Sequence, residues 1–513
     1  MSDKLLRFER SRVYFEVVKL SSNKLREFDL SYELTRKSAS ELAQLIRSRA
    51  ISSVEVVTEY FERIEKLNPS LNAVVTLADG AIDHARAADI ALSKGETTGP
   101  LHGVPLTVKD TIDTRRLRTT SGSRLRAHNI PGRDASVVAR LKAAGAIILG
   151  KTNVPEMAIP YETDNPVFGR TNNPHDLKLT PGGSSGGEAA AIAACLSPAG
   201  VGSDLSGSIR VPAHFCGIAG LKPTTGRVPM DGHTPEAIGA LSLGACIGPM
   251  ARTVEDLELL FDCMADSIPS ATSDQVAALR GLQLAYYTFD GVIAVTKETK
   301  RAVEAAARTL EEAGLKIKEE CPPGVTHGSR LWVELFSYVA FQQLVQFYHG
   351  RRREASPQIS ALLRKMHVET NELKDKIDVA ETRAKAVIER EHLREQLLRW
   401  MKTTPLILAP VGSTPAFEHG KQRVKVAGQS ISIFRSFGYS QAFNVFGLPS
   451  VVVPAGRTLS GLPIGVQIIG RPYEERTVLA AAKLIEEALG GWLICPTNFS
   501  LSPLPLPLGE GPG

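Results

Sequence analysis

Apolar positions along this chain follow two periods, which separate helices from strands. Near the front, SASELAQLIRS and SSVEVVTEYFERIEKLN each open on a serine with a glutamate three residues later (Ser38 and Glu41, Ser52 and Glu55). That spacing is a capping box and marks a helix start. Val56, Tyr60, Ile64 and Leu67 recur at helical intervals as one apolar face, and Pro69 is expected to end that helix. From 73 to 250, short apolar runs alternate with Ala-rich helical stretches. VPLTV (104–108) and AIILG (146–150) read as strands, with SVVARLKAAG (136–145) as the crossover helix between them. Strand patterns return at LILAP (406–410), SVVVPA (450–455) and GVQII (465–469). The prediction is an α/β fold, with a central mixed, largely parallel twisted sheet covered by helices on both faces.

Three segments depart from this pattern. Residues 1–34 form a charged, irregular N-terminal extension. Residues 330–400 are charged, with Leu373, Ile377, Ala380, Ala384 and Val387 at a 3–4 spacing. They predict an amphipathic helical insertion lying over the sheet core. From 496 the chain is Pro/Gly-rich (LSPLPLPLGEGPG), and a disordered tail is expected. One domain, 35–495, remains, and no internal repeat is visible.

Composition narrows the function classes. The 513 residues are 43% hydrophobic and 22% charged, ordinary for a globular protein. No run approaches the ~18 uninterrupted apolar residues of a membrane helix. The first twenty residues interleave charged and apolar positions, unlike a signal peptide. Six cysteines, none in a CxxC pair, read as reduced thiols of a cytoplasmic protein. The net charge of +5 sits mostly at the front, where residues 1–49 hold 11 Lys/Arg against 7 Asp/Glu. No basic stripe interleaved with aromatics follows, so neither a nucleic acid nor a membrane is expected as partner.

The candidate chemistry lies between Thr180 and Ala213. GGSSGG (182–187) and SGS (206–208) are joined by a small, apolar run, as in a tightly packed helix. Glu188 follows Gly187 where a phosphate loop needs Lys and then Ser/Thr. GxSxG occurs twice, around Ser184 and Ser185, which is the nucleophile-elbow pattern of an α/β-hydrolase esterase. An elbow needs a strand before it, and LKLTP is a poor one. It also needs a histidine, and His214, His233, His327 and His419 sit in no distinctive setting. No zinc-ligand spacing occurs. A serine site without histidine needs another base. Lys109, at the end of HGVPLTVKD, suits if its amine is neutral, about three units below the ~10.4 of free lysine.

These residues resemble the amidase signature family. The stretch Gly182–Ala213 reproduces that family's signature, including SDxxGSIRxPA. Lys109 lies 75 residues before Ser184, and Ser184 lies 24 before Ser208, as is typical of the family. HGVPLTVKDTID, ILGKTNVPEMA, GLKPTTGRVP, GPMARTVEDLELL, FNVFGLPSVVVPAG and GLPIGVQIIGRPYEE are also family-like, and the likeness spans about 38–490. The resemblance implies a Ser–Ser–Lys triad: Ser208 as nucleophile, Ser184 (after a cis Gly183–Ser184 bond) as bridge, and Lys109 as base. It implies an oxyanion hole from the N–H groups of Leu205, Ser206, Gly207 and Ser208, with Ser185, Asp204 and Arg210 in support. An acyl-enzyme is expected, with no metal and no cofactor. The family usually has Gly-Gly before the nucleophile, whereas here Ser206 precedes Gly207; a small residue of ordinary φ/ψ fitting there is one account, an altered oxyanion hole the other.

The substrate is less legible. Met157, Tyr161 and Gly183 are expected beside it, with the insertion as cover. Trp332, Phe336, Tyr338 and Phe341 either pack a helix core or line a pocket for bulky amides and anilides, with aryl esters and carbamates as further possibilities. Such a protein acts alone, as monomer or homodimer. The alternatives are the glutaminase (A-type) subunit of a tRNA-dependent amidotransferase and a binding module without activity.

Overall fold

The computed structural model describes residues 33–96, 98–266, 275–364 and 379–495. The N-terminal extension up to residue 32, Leu373 and Ile377 of the insertion, and the tail from 496 lie outside the described residues. The strands are β1 (Val74–Leu77), β2 (Pro105–Lys109), β3 (Ile147–Thr152), β4 (Ala199–Asp204), β5 (Ala219–Lys222), β6 (Cys246–Ala251) and β7 (Gln283–Tyr286). They continue as β8 (Lys316–Glu319), β9 (Leu406–Pro410), β10 (Arg423–Val426), β11 (Gln429–Ser432), β12 (Ser450–Arg457) and β13 (Pro463–Ile469). Eleven form one sheet in the order β1-β3-β2-β4-β6-β5-β12-β13-β9-β7-β8, and β10 and β11 make a separate hairpin. The sheet is mixed, as the pattern predicts. Its parallel pairings form two wings, β3–β2–β4 and β9–β7–β8. From β4 across to β9 neighbours run antiparallel, as does β1 at the edge.

Both faces are covered because side chains alternate along each strand. Val451 and Val453 of β12 enter one core with helices Ala39–Arg47, Ser53–Leu71, Ser136–Ala143, Val254–Met264, Lys297–Glu312 and Glu475–Leu489. Val452 enters the other, with helices Gly186–Ala193 and Arg210–Cys216. Both predicted capping boxes form: Ser38 and Ser52 accept from the N–H of Glu41 and Glu55, whose carboxylates accept in return.

Two sequence expectations are corrected. Pro69 does not end its helix, which runs to Leu71. Near a C-terminus a proline removes one hydrogen bond without forcing the chain out. The stop comes from Asn72 in the left-handed region (φ 52) and from Asn68 Oδ1, which accepts from the N–H of Ala73 and Val74. In helix Val379–Trp400, Ala380, Ala384 and Val387 are exposed, and the buried side carries Ala386, Arg390 and Leu397. The reason is polar: the Arg390 and Arg394 guanidiniums donate to the carbonyls of Val445 and Phe446 at the C-terminus of helix Gly438–Val445, so charged residues face inward.

Helix Gly186–Ala193 lies directly on the end of β3. A Cβ added at Gly187 would stand 2.4 Å from both the N and the O of Asn153. Gly187→Ala is therefore expected to destabilise the protein by about 3 kcal/mol, read as a lowered thermal midpoint. An unchanged midpoint would show that this helix can lift from the sheet.

Candidate active site

Alternation along β2 sends Leu106 and Val108 into the first core and Thr107 and Lys109 toward helix Gly186–Ala193. The hydroxyls of Thr107 and of Thr152 on β3 both donate to Glu188 in the first turn of that helix, fixing its start over the strand ends. The preceding loop carries the cis Gly183–Ser184 bond. Its serines lie within reach of Lys109, whose Nζ is 2.7 Å from Ser184 Oγ, 2.9 Å from Ser185 Oγ and also 2.9 Å from Ser203 Oγ on β4. Gly183 is glycine for space, since a Cβ would sit 2.8 Å from the Pro160 carbonyl oxygen.

Lys109 is fully buried. Burial lowers its amine to about 7, against the opposing pull of Asp204 and Glu188. Burial also pushes Glu188 up to about 7, against the hydrogen bonds from Thr107 and Thr152. Burial thus brings the amine into the range where it exchanges its proton near neutral pH.

Asp204 ends β4 and organises the turn to Ser208. Burial alone would raise its carboxyl, but the Arg210 guanidinium holds it well below the usual carboxylate range. Arg210 Nε and one terminal nitrogen each donate to Asp204 at 3.0 Å, and both side chains are fully buried. Asp204 also accepts from the N–H of Gly207 (2.8 Å) and Ile209 (3.1 Å). The N–H groups of Leu205, Ser206 and Ser208 have no acceptor among the described residues. Gly207 alone in this turn needs to be glycine, with φ 102 and Ser440 against its missing Cβ. Ser206 has no positive φ, so a serine fits where the resemblance leads one to expect glycine. The Ser185 N–H donates to the Ser208 carbonyl (3.1 Å), bringing the two serine clusters together, although no Ser184–Ser208 hydroxyl bond is formed.

Two aromatics brace the turn from outside. Tyr161 O–H donates to the Ser206 carbonyl (2.7 Å), and the Trp332 indole N–H to that of Leu205 (2.8 Å). Tyr161 packs on Phe437 and Trp332 on Phe434, making an aromatic wall. Phe336 and Phe341 are core residues. Met157 is buried with Phe341, Leu344 and Tyr348. Sequence reasoning missed Ser203, His233, Gln441, Asn444 and Gln467. The last two bind Asp204 and Arg210, Gln441 donates to Tyr161, and His233 Nε2 lies 2.9 Å from Ser203 Oγ. Among the four histidines considered for an elbow, His233 therefore does sit beside the lysine site, joined to it through Ser203.

The model of the Amidase family matches residues 55–479. The chain belongs to the amidase signature family. It is 34% identical over 485 residues to the A-type subunit of the Glutamyl-tRNA(Gln) amidotransferase of Carboxydothermus hydrogenoformans, covering 89% of this chain and 98% of that protein. It is 32% identical over 501 residues to human Fatty-acid amide hydrolase 2, covering 90% of each. A solved bacterial aryl acylamidase of the same family superposes with a TM-score of 0.77 at 27% identity, over 88% of this chain and 96% of that one. It is an enzyme of that family, acting on amides. Among the described residues no helix is long and apolar enough to cross a membrane.

The rate at which an alkyl fluorophosphonate labels the site serine is expected to rise with pH through about 7, as the protonated Lys109 amine becomes an acceptor. Glu188 changes charge in the same window, so the rise should survive Glu188→Gln and the labelling disappear in Lys109→Met. A rise that follows Glu188 would assign the titration to the carboxyl.

Proposed function

We propose that the chain hydrolyses amide C–N bonds through an acyl-enzyme, with Ser208 as nucleophile, Ser184 as proton bridge and Lys109 as base. The observation that carries this is a fully buried lysine, its amine lowered to about 7, held 2.7 Å from Ser184 Oγ. Ser208 Oγ attacks the carbonyl carbon while its proton passes through Ser184 to Lys109. The N–H groups of Leu205, Ser206 and Ser208 receive the oxyanion. Gly207, expected among them, gives its N–H to Asp204 and shapes the turn instead. Lys109 then returns the proton through Ser184 to the departing nitrogen, the C–N bond breaks, and water enters by the reverse path. Ser185, Asp204 and Arg210 hold the frame, and Tyr161 and Gly183 border the substrate. These steps need no metal or cofactor.

Two substrate classes have support. Sequence similarity favours the glutaminase member of a tRNA-dependent amidotransferase, since the relative that is 34% identical over nearly its whole length carries an amidotransferase name. In that reading the chain works with partner subunits on a glutamyl-tRNA, and the expectation of no nucleic acid falls. The half-buried rings of Trp332 and Phe434 beside the turn favour bulky acyl or aryl amides, and the similarity to a fatty-acid amide hydrolase and an aryl acylamidase agrees with it. Carbamate and aryl ester cleavage by the same acyl-enzyme belongs to this second reading.

The purified chain, assayed alone on glutamine, an anilide, a long-chain acyl amide and a carbamate, separates the two. Turnover of the anilide or acyl amide, abolished in Ser208→Ala, supports the stand-alone hydrolase. Glutamine turnover that requires added partner subunits supports the amidotransferase. Activity retained in Ser208→Ala would remove the proposed nucleophile.

A further inference from the structure

We infer that His233, which does not touch Lys109, acts as a positioning residue that aims the lysine's lone pair at Ser184 by fixing the hydroxyl of Ser203. The inference rests on reading Lys109 as the base.

His233 is placed by a segment docked just beyond the end of β2. It forms an antiparallel bridge with Ile112, the Thr234 N–H donates to the Thr111 carbonyl, and the Asp113 N–H donates to that of Gly232. Its Nδ1 lies 2.7 Å from the Pro235 carbonyl oxygen. A carbonyl only accepts, so Nδ1 carries the hydrogen, and in a neutral imidazole Nε2 is then an acceptor. Neutrality is secured by burial, which lowers His233 to about 4 against the opposing hydrogen bond to the Pro235 carbonyl. The Ser203 O–H, 2.9 Å from Nε2, must therefore donate to it.

That leaves Ser203 Oγ only lone pairs to offer Lys109, 2.9 Å away. Ser185 is constrained in the same way, because its O–H donates to the Ser203 carbonyl at 3.3 Å and its oxygen accepts from the Ser203 N–H. Toward Lys109, also 2.9 Å away, it too can only accept. A neutral amine has two hydrogens and one lone pair. The Ser203 and Ser185 hydroxyl oxygens take the hydrogens, the Ser203 carbonyl lying farther off at 3.5 Å, and the lone pair is left for Ser184 Oγ at 2.7 Å. Without His233 the Ser203 hydroxyl is free to turn, donate to the lysine lone pair, and draw it away from Ser184.

Labelling by an alkyl fluorophosphonate tests this without knowledge of the substrate. The reaction forms an Oγ–P bond at Ser208 and breaks the P–F bond. The serine proton goes to Lys109 through Ser184, and fluoride leaves to solvent. Mass spectrometry gives the rate. His233→Phe keeps the ring but cannot accept, and should slow labelling by about 10- to 100-fold. Ser203→Ala, which leaves His233 in place, should slow it by a similar factor. It carries the test alone if the phenylalanine variant does not fold. The double variant should be no slower than the slower single, because both act through one hydroxyl. Wild-type labelling in either single variant, or effects that multiply in the double, would overturn the inference while Lys109→Met and Ser184→Ala still abolish labelling. If wild-type Ser208 is not labelled at all, the reading of the triad fails first and this inference goes with it.

Discussion

The buried Asp204–Arg210 ion pair is the interaction on which the site depends. Without Arg210, the Asp204 carboxylate would be an uncompensated charge in the core, and breaking such a pair typically costs about 3–5 kcal/mol. Its oxygens also satisfy the backbone N–H groups of Gly207 and Ile209, so one carboxylate closes the turn after β4, while the N–H groups of Leu205, Ser206 and Ser208 keep no acceptor among the described residues. Asn444 and Gln467, on a helix and on β13, complete the shell around the pair. The turn is thus tied to the antiparallel centre of the sheet, while Lys109 stands on its parallel wing.

Glu188 does the corresponding work on the other side. Held by Thr107 and Thr152, it couples the first turn of helix Gly186–Ala193 to two strands at once. Two segments then meet at one amine, Ser184 and Ser185 from the loop before the helix and Ser203 from β4, while His233 reaches it only through Ser203. Each is fixed by bonds to the sheet or to the strand ends.

Much of this was legible in the residues. LILAP, SVVVPA and GVQII are continuous apolar runs bounded by polar or turn residues, and they are β9 and parts of β12 and β13. Lys109 could be picked out because it ends such a run, and the resemblance to the amidase signature family pointed to its partners. What could not be read lacked a local signal. AGVGSD and AGLK (β4 and β5) are strands without strand composition, chosen for close approach to neighbours. KIKE (β8) sits at the sheet edge, where charges replace apolar residues. In helix Val379–Trp400 the apolar period misled, because Arg390 and Arg394 turn inward to meet backbone carbonyls. His233 had no motif at all, since its partner hydroxyl lies 30 residues earlier, beyond helix Arg210–Cys216 and β5.

The burial of Lys109 also bears on how the chain comes into being. In an unfolded chain this amine has the ordinary affinity of a lysine for a proton, near ~10.4, whereas in the folded protein it is lowered to about 7. Between these two values folding expels a proton from the side chain. The energetic penalty of enclosing this lysine is therefore greatest below pH 7 and fades as the pH climbs toward 10. A nascent or misfolded polypeptide carries a charged amine and ordinary serines. On the proposed reading of Lys109 as base, the site serine becomes a nucleophile only once the sheet has closed around that amine.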